Sequence, residues 1–366
     1  MKLFYYNVLV EKEDLADRVE DINFLKNALK LNKKIALYAP RRYGKSSISK
    51  NIIPKELKTK KFLAIYCDFM GVNTPADVAF RLSKGLAEGM EEYIPAQRLF
   101  ESAKQVLKNI NFTFDTNPIT GEASFGLSLK KEQSHSITDL LKVFLQLAKN
   151  YKCLFIFDEF QDILDAKDSL SLLRSELQKL KDTPILFLGS KRRLLSQIFT
   201  SHQSPFFNFA DEYVLGPIPF ADWSDFFDER LKPLKVKIHD EALQQIIDLS
   251  LEVPNTICEI GSYLQGKCSN ESLDENKTLK LIDELVTAKS ESFYFQIKQL
   301  TSAEKKILSI LAVNKFTSEI QGKAFQSKTT LSLSGIKKTV HKLYNQGLIE
   351  EDQNAYRVSN PLFRLF

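Results

Sequence analysis

The chain has 366 residues, 43% apolar and 27% charged; that is enough apolar material for ordinary cores in two or three domains, and it excludes a disordered polymer. No apolar run approaches the roughly 20 residues of a membrane span, and residues 3–10, short and followed at once by charged residues, do not read as a signal peptide. The net charge of +5 falls in residues 301–366, where ten Lys/Arg face five Asp/Glu, so the remainder of the chain balances to zero.

In chain order, residues 13–30 read as a helix with Leu15, Val19, Ile22, Leu25 and Leu29 on one face. Residues 34–39 form a short buried strand, and a helix runs from Ser46 to Ile53, where Pro54 stops it. Residues 62–69 are a second buried strand, followed by helices near 75–92 and 97–109. The alternating stretch 111–131 reads as a β-hairpin inserted into the βα series. A helix (136–149), a strand (153–160), a helix (168–181), a strand (184–190) and a last strand (212–218) complete it. Five continuous apolar strands alternating with helices imply a parallel sheet covered on both faces. Residues 221–295 read as helices only. Cys67, Cys153, Cys258 and Cys268 fit no zinc spacing and read as buried free thiols of a reducing, cytoplasmic compartment.

The stretch "IALYAPRRYGKSSI" places Ala39, Pro40, Arg41, Arg42, Tyr43 and Gly44 between a strand and a helix that begins with Lys45, Ser46 and Ser47. A loop of this kind binds phosphate through inward-pointing backbone N–H groups and the helix N-terminus. Gly44 would let the backbone approach the phosphates, Lys45 would reach the β- and γ-phosphates, Ser46 would help hold Mg²⁺, and Ser47 would add a hydroxyl near the α-phosphate. Ala39 stands where such a loop usually opens with glycine, and it serves if its φ stays negative.

A second element, "FIFDEFQ", ends an apolar strand in Asp158 and Glu159. At the C-terminal edge of a parallel sheet both carboxylates would face the ligand crevice. Asp158 would hold Mg²⁺ through water, and Glu159 would orient or deprotonate the attacking water. The pair favours ATP hydrolysis over binding alone. In a third element, "ILFLGSKRR", Ser190 would sense the γ-phosphate if its strand neighbours the Asp158 strand. Arg192 or Arg193 would serve as an arginine finger on its own site or on a neighbour's within a homo-oligomer; capping a helix or facing solvent is the competing reading.

In this order and spacing, the three elements resemble the archaeal-type ATPase family of P-loop proteins, allied to the STAND and AAA+ ATPases. Arg41 and Arg42 match that group's loop, and residues 15–29 are similar to a diverged form of its N-terminal segment. The stretch "SLEVPNTICEI" resembles a Gly-x-Pro lid-helix opening with Glu252 for glycine, which implies Pro254 beside the adenine. The closing "SNPLFRLF" is similar to the group's Asp-Pro-Leu-Phe, with Asn360 for Asp. The resemblance implies an α/β P-loop NTPase core (1–220), a helical lid (221–297) and a C-terminal winged helix (298–366).

The residues of the C-terminal region suggest the winged helix independently. Thr301 and Glu304 have capping-box spacing, residues 317–325 form a short second helix, and a third helix ends at Gly347. Ile336, Val340, Leu343 and Tyr344 share its buried face, while Lys337, Lys338, His341 and Lys342 fall on the other. Residues 348–358 read as strand, turn and strand, the wing. A basic third helix suits DNA contact, whereas Glu350, Glu351 and Asp352 oppose it in the wing. The expected protein is a Mg²⁺-dependent ATPase switch, without a membrane role, whose nucleotide state controls a DNA-binding winged helix. The alternative is a slowly hydrolysing regulator or scaffold whose winged helix docks a protein.

Overall fold

The computed structural model describes residues 1–59, 62–93, 113–116, 123–126, 137–352 and 355–366. The helix expected near 97–109 lies outside them, as does the turn of the expected hairpin. The chain forms two compact units: one comprises Val19–Arg41 and Lys45–Leu215, and the other Met1–Arg18, Arg42–Gly44 and Gly216–Phe366.

The first unit is built on β1 (Lys34–Tyr38), β2 (Phe62–Asp68), β5 (Lys152–Asp158), β6 (Ile185–Gly189) and β7 (Asp211–Val214), with the short antiparallel pair β3 (Thr113–Thr116) and β4 (Ala123–Gly126). The five-stranded sheet has the order β2-β5-β6-β1-β7, and every neighbouring pair is parallel. Tyr38 aligns with Gly189, and Asp68 with Asp158, so the C-terminal ends of the strands share one edge. The strands are apolar runs because both faces are covered. The core around the sheet is rich in phenylalanine: Phe144, Phe155, Phe157, Phe160, Phe187, Phe199 and Phe206 are all fully buried. Many meet edge-on or tilted, the arrangement ring quadrupoles prefer.

Two local expectations need correction. The N-terminal helix is Val19–Lys30, with only a 3₁₀ turn at Lys12–Asp14 before it. Asp17 and Arg18 take φ of +58° and +80°, which a helix cannot accommodate. Nor does Pro54 stop the helix after the loop. Residues Ser47–Ile52 form a π-helical turn that passes into the α-helix Ile53–Leu57, and Pro54 falls at that junction, in the first turn of the α segment.

The second unit is mainly helical: Phe220–Leu231, Asp240–Leu249, Pro254–Lys267, Glu275–Ala288 and Ser290–Lys298, then Ser302–Val313, Lys323–Thr329 and Leu333–Asn345. The expectation of helices alone misses β8 (Lys237–Ile238) and β9 (Ser272–Leu273), a two-residue parallel pair. One apolar cluster runs through this unit, from Trp223 and Ile257 to Leu311, Ile336, Leu343 and Phe363. β10 (Ile349–Asp352) and β11 (Ala355–Val358) pair antiparallel as the wing. Thr317 bridges Tyr356 as a further strand contact, which is why the helix expected at 317–325 begins only at Lys323.

The caps follow the sequence signals. Thr301 and Glu304 form a complete capping box. Gly347, at φ +73°, ends the third helix of the winged helix, with Leu348 N–H returned to Leu343 O at 3.0 Å. Asn360 accepts from Leu362 and Phe363 N–H, doing as amide oxygen what aspartate would do as carboxylate.

Candidate active site

β1 delivers the chain into the loop of residues 39–44. Ala39 is fully buried, donates its N–H to Gly189 O at 3.2 Å and stays outside the left-handed region, which meets the condition for replacing the usual glycine. Arg42 and Gly44 do take positive φ, +65° and +86°. The helix begins at Lys45. Ser46 is half-buried and Ser47 buried, while Arg41 and Arg42 are exposed.

The structure brings four expected residues together at the ends of β1, β5 and β6. Lys45 Nζ lies 2.8 Å from Asp158 Oδ1 and 2.9 Å from Glu159 Oε1. β6 pairs with β5, and Ser190 Oγ at its end donates to Glu159 Oε2 at 2.8 Å. Lys45 and Asp158 are 7% and 5% exposed, so this is a nearly closed ion-pair cluster. Burial works against the charged ammonium, yet Asp158 and Glu159 hold its pKa above the ordinary lysine value. Burial likewise pushes the Glu159 carboxyl up, but Lys45, Gln161 and Ser190 outweigh it and bring the group down to about 2.

Two further residues complete the cluster, and sequence reasoning missed both. Tyr66, on β2, donates its hydroxyl to Asp158 Oδ2; burial and that carboxylate push the phenol well above its ordinary range. Gln161 donates its amide to Glu159 Oε2 at 2.6 Å and to Asp162 Oδ1 at 3.2 Å. The clue to Gln161 was its place two residues after the Asp-Glu pair. Tyr66 carried no local signal, because only the register Tyr66↔Ile156 brings β2 alongside β5.

The remaining expected residues lie elsewhere. Arg192 and Arg193 open the helix Arg192–Thr200; the Arg192 guanidinium stands 5.6 Å from the centre of the Tyr38 ring, and Arg193 is exposed. Pro254 starts its helix in the other unit. Leu251 and Glu252 before it have φ of +52° and +58°, so Glu252 holds the conformation for which glycine is favoured. Tyr43, buried at the loop tip, interacts with Arg357 of β11, and Arg42 O accepts from Asn255 N–H at 3.3 Å; all four residues belong to the second unit. In the winged helix, Lys337, Lys338 and His341 are exposed, whereas Lys342 Nζ pairs with Glu304 Oε1 at 2.6 Å.

Solved structures share this fold along nearly the whole chain. The Walker-type ATPase PABY2304 of Pyrococcus abyssi superposes with a TM-score of 0.64 at 17% identity, over 100% of this chain and 99% of that one. The ORC2 protein of Aeropyrum pernix, solved in ADPNP-ADP complexes, gives a TM-score of 0.50 at 13% identity, over 98% and 93% of the two chains. The chain has the fold of the Walker-type P-loop ATPases. A family model described as a probable winged helix domain matches residues 291–366, and the C-terminus of this ATPase fold is a winged helix. At these identities the likeness is one of fold, and no curated protein matches the sequence.

Ser46 and Asp158 supply hydroxyl and carboxylate oxygens, the hard donors Mg²⁺ takes alongside nucleotide phosphates. Among the described residues there is no group of three or more His, Cys, Asp or Glu that could hold a metal unaided. None of the described helices is long and apolar enough to cross a membrane. All four cysteines are buried and free, and burial pushes the thiols of Cys153 and Cys258 up to about 12, which makes them inert.

Proposed function

We propose that this chain binds and hydrolyses ATP with Mg²⁺, and that its winged helix responds to the nucleotide. The observation that carries the reading is Lys45 held between Asp158 and Glu159, with Ser190 on the second carboxylate. Backbone N–H groups of residues 40–44 and the Lys45 ammonium would bind the phosphates; Ser46 and Asp158 would hold Mg²⁺; Glu159 would take a hydrogen of the attacking water. Mg²⁺ would neutralise charge on the transferring phosphoryl group. Pro254 would border the adenine, and Arg192 or Arg193 would act as an arginine finger.

The test is a pair of variants. Glu159→Gln should bind ATP like wild type and turn it over at least about 100-fold more slowly, because it loses only the base. Lys45→Ala should lose ATP binding. Wild-type turnover in Glu159→Gln removes Glu159 from the mechanism, and wild-type affinity in Lys45→Ala removes the site.

DNA is the proposed partner of the winged helix, through Lys337, Lys338 and His341. Lys342 contributes less than its position suggests, since its ammonium is committed to Glu304. A protein partner is the second reading: Glu350, opposite Arg357 on the wing, already neutralises that arginine. DNA retention that weakens with salt and falls in Lys337→Ala/Lys338→Ala supports the first. No retention at low salt supports the second.

A further inference from the structure

Gln161 is 1% exposed, and the proposed phosphate, metal and base roles leave it without a task. Glu159 adopts a left-handed backbone, φ +47° and ψ +41°, turning the chain into the 3₁₀ helix Phe160–Asp165. That turn brings the Gln161 side chain back beneath the glutamate two residues before it. Its Nε2 reaches Glu159 Oε2 at 2.6 Å and Asp162 Oδ1 at 3.2 Å. Its Oε1 is buried without a hydrogen-bond partner and sits 2.4 Å from where a Cβ on Gly189 would stand. The amide can face only one way: reversed, its oxygen would meet two carboxylates.

The second carboxylate in this chain is itself fixed. Asp162 accepts from Lys191 Nζ at 3.0 Å and from Gly71 N–H at 3.0 Å. The two oxygens of Glu159 are therefore treated differently. Oε2 accepts two neutral hydrogen bonds, from Gln161 and Ser190, while Oε1 is paired with the Lys45 ammonium. A triphosphate would compete for that ammonium, but nothing about a phosphate competes for the Gln161 amide.

We infer that Gln161 is a positioning residue for the proposed ATP hydrolysis, pinning Oε2 of Glu159 with Ser190 so that Oε1 is the oxygen presented to water. The inference rests on the proposed nucleotide site. It makes Glu159 a base of fixed orientation, and it explains why a buried glutamine with an unsatisfied oxygen stands in the 3₁₀ helix that follows β5. Gln161 touches no reacting atom; its effect passes wholly through the carboxylate.

The experiment measures ATP affinity by calorimetry and turnover under saturating ATP for wild type, Gln161→Leu, Gln161→Met and Glu159→Gln. Both Gln161 variants keep the volume and lose the donor. Each should keep ATP affinity within about threefold while kcat falls about 10- to 100-fold, the scale of misplacing a catalytic group by about 1 Å. Wild-type kcat in a folded Gln161 variant overturns the inference, as does affinity falling in parallel with kcat, which marks a structural role. Failure of both variants to fold overturns it too, since the amide is then a folding requirement. Wild-type turnover in Glu159→Gln defeats the nucleotide reading itself; an inactive Glu159→Gln beside an active Gln161→Leu defeats only the positioning role.

Discussion

Replacing Lys45 with alanine should cost stability as well as nucleotide binding, and the cost should depend on pH. The ammonium lies 2.8 Å from one carboxylate and 2.9 Å from another in a nearly closed site. Breaking a buried pair by removing one partner costs about 3–5 kcal/mol. Linkage gives a similar figure by an independent route. The Glu159 carboxyl falls from an ordinary 4.5 to about 2, which at 1.36 kcal/mol per pKa unit amounts to about 3 kcal/mol. Gln161 and Ser190 supply part of that drop and persist in the variant, as do Tyr66 and the Glu159 N–H on Asp158. The expected loss at pH 8 is therefore about 2–3 kcal/mol.

In wild type the Glu159 contribution is complete above the unfolded carboxyl value and is lost as pH falls through about 2. In the variant, burial and the neighbouring carboxylate act on Glu159 without the Lys45 charge that opposed them, which lifts its carboxyl above the unfolded value. The folded variant then gains a proton before its unfolded chain does, and the gap to wild type narrows from pH 8 to pH 5. Urea unfolding of both proteins at the two pH values measures this. A difference under about 0.5 kcal/mol at pH 8, or one equal at both pH values, refutes the pairing argument.

Gly189→Ala puts a methyl 2.4 Å from Gln161 Oε1 and 3.0 Å from a Leu195 methyl, so it should destabilise by about 1–3 kcal/mol and lower kcat while ATP affinity is kept. Glu304→Ala removes the capping box and the Lys342 partner, a loss of about 1–2 kcal/mol in thermal unfolding at pH 7. Burial opposes the charge on Glu304, but Lys342 and Thr301 hold its carboxyl below the ordinary value. Its contribution is present above the unfolded carboxyl value and is lost as pH falls through the lower folded one, so the two proteins converge in acid. Glu252→Gly removes an exposed side chain from φ +58° and should stabilise by about 1 kcal/mol, since a left-handed backbone costs an L-residue about 1–2 kcal/mol; a melting temperature that falls counts against the strain.

Elements written in local sequence were legible. The strand, loop and helix around Lys45 and the strand ending in Asp158-Glu159 each carry their own signal, and the sheet then forces them together because β6 is the shared neighbour of β1 and β5. Ser190 was conditional on that adjacency and fell into place with it. What stayed hidden depends on register or on backbone geometry. Tyr66 reads as one more apolar strand residue until β2 pairs with β5. Gln161 reads as a loop residue after the strand until the left-handed Glu159 turns it inward. Lys342 reads as a solvent-facing cation on a basic helix, and only the packing of Ser302–Val313 near Leu333–Asn345 supplies its partner, Glu304. Pro54 misled because a π-helical turn, which no residue pattern announces, shifts it into a first turn.

The same lysine would link loading of the proposed site to its chemistry. Lys45 keeps its charge, since Asp158 and Glu159 hold its pKa above the ordinary value despite burial. One ammonium cannot fully neutralise two carboxylates and a triphosphate, so phosphates would bind only by drawing Lys45 away from the carboxylates. That exchange would strip Asp158 and Glu159 of their counter-charge in a nearly closed pocket, a cost of several kcal/mol if nothing replaced it. Asp158 and Ser46 are the protein groups that would receive a divalent cation with the nucleotide, which would restore that counter-charge. ATP binding here should therefore depend more steeply on Mg²⁺ than in a site whose lysine has no carboxylate to leave. The exchange would also free the Glu159 oxygen that Gln161 and Ser190 do not hold, so the base would become available only when there is a phosphate for water to attack.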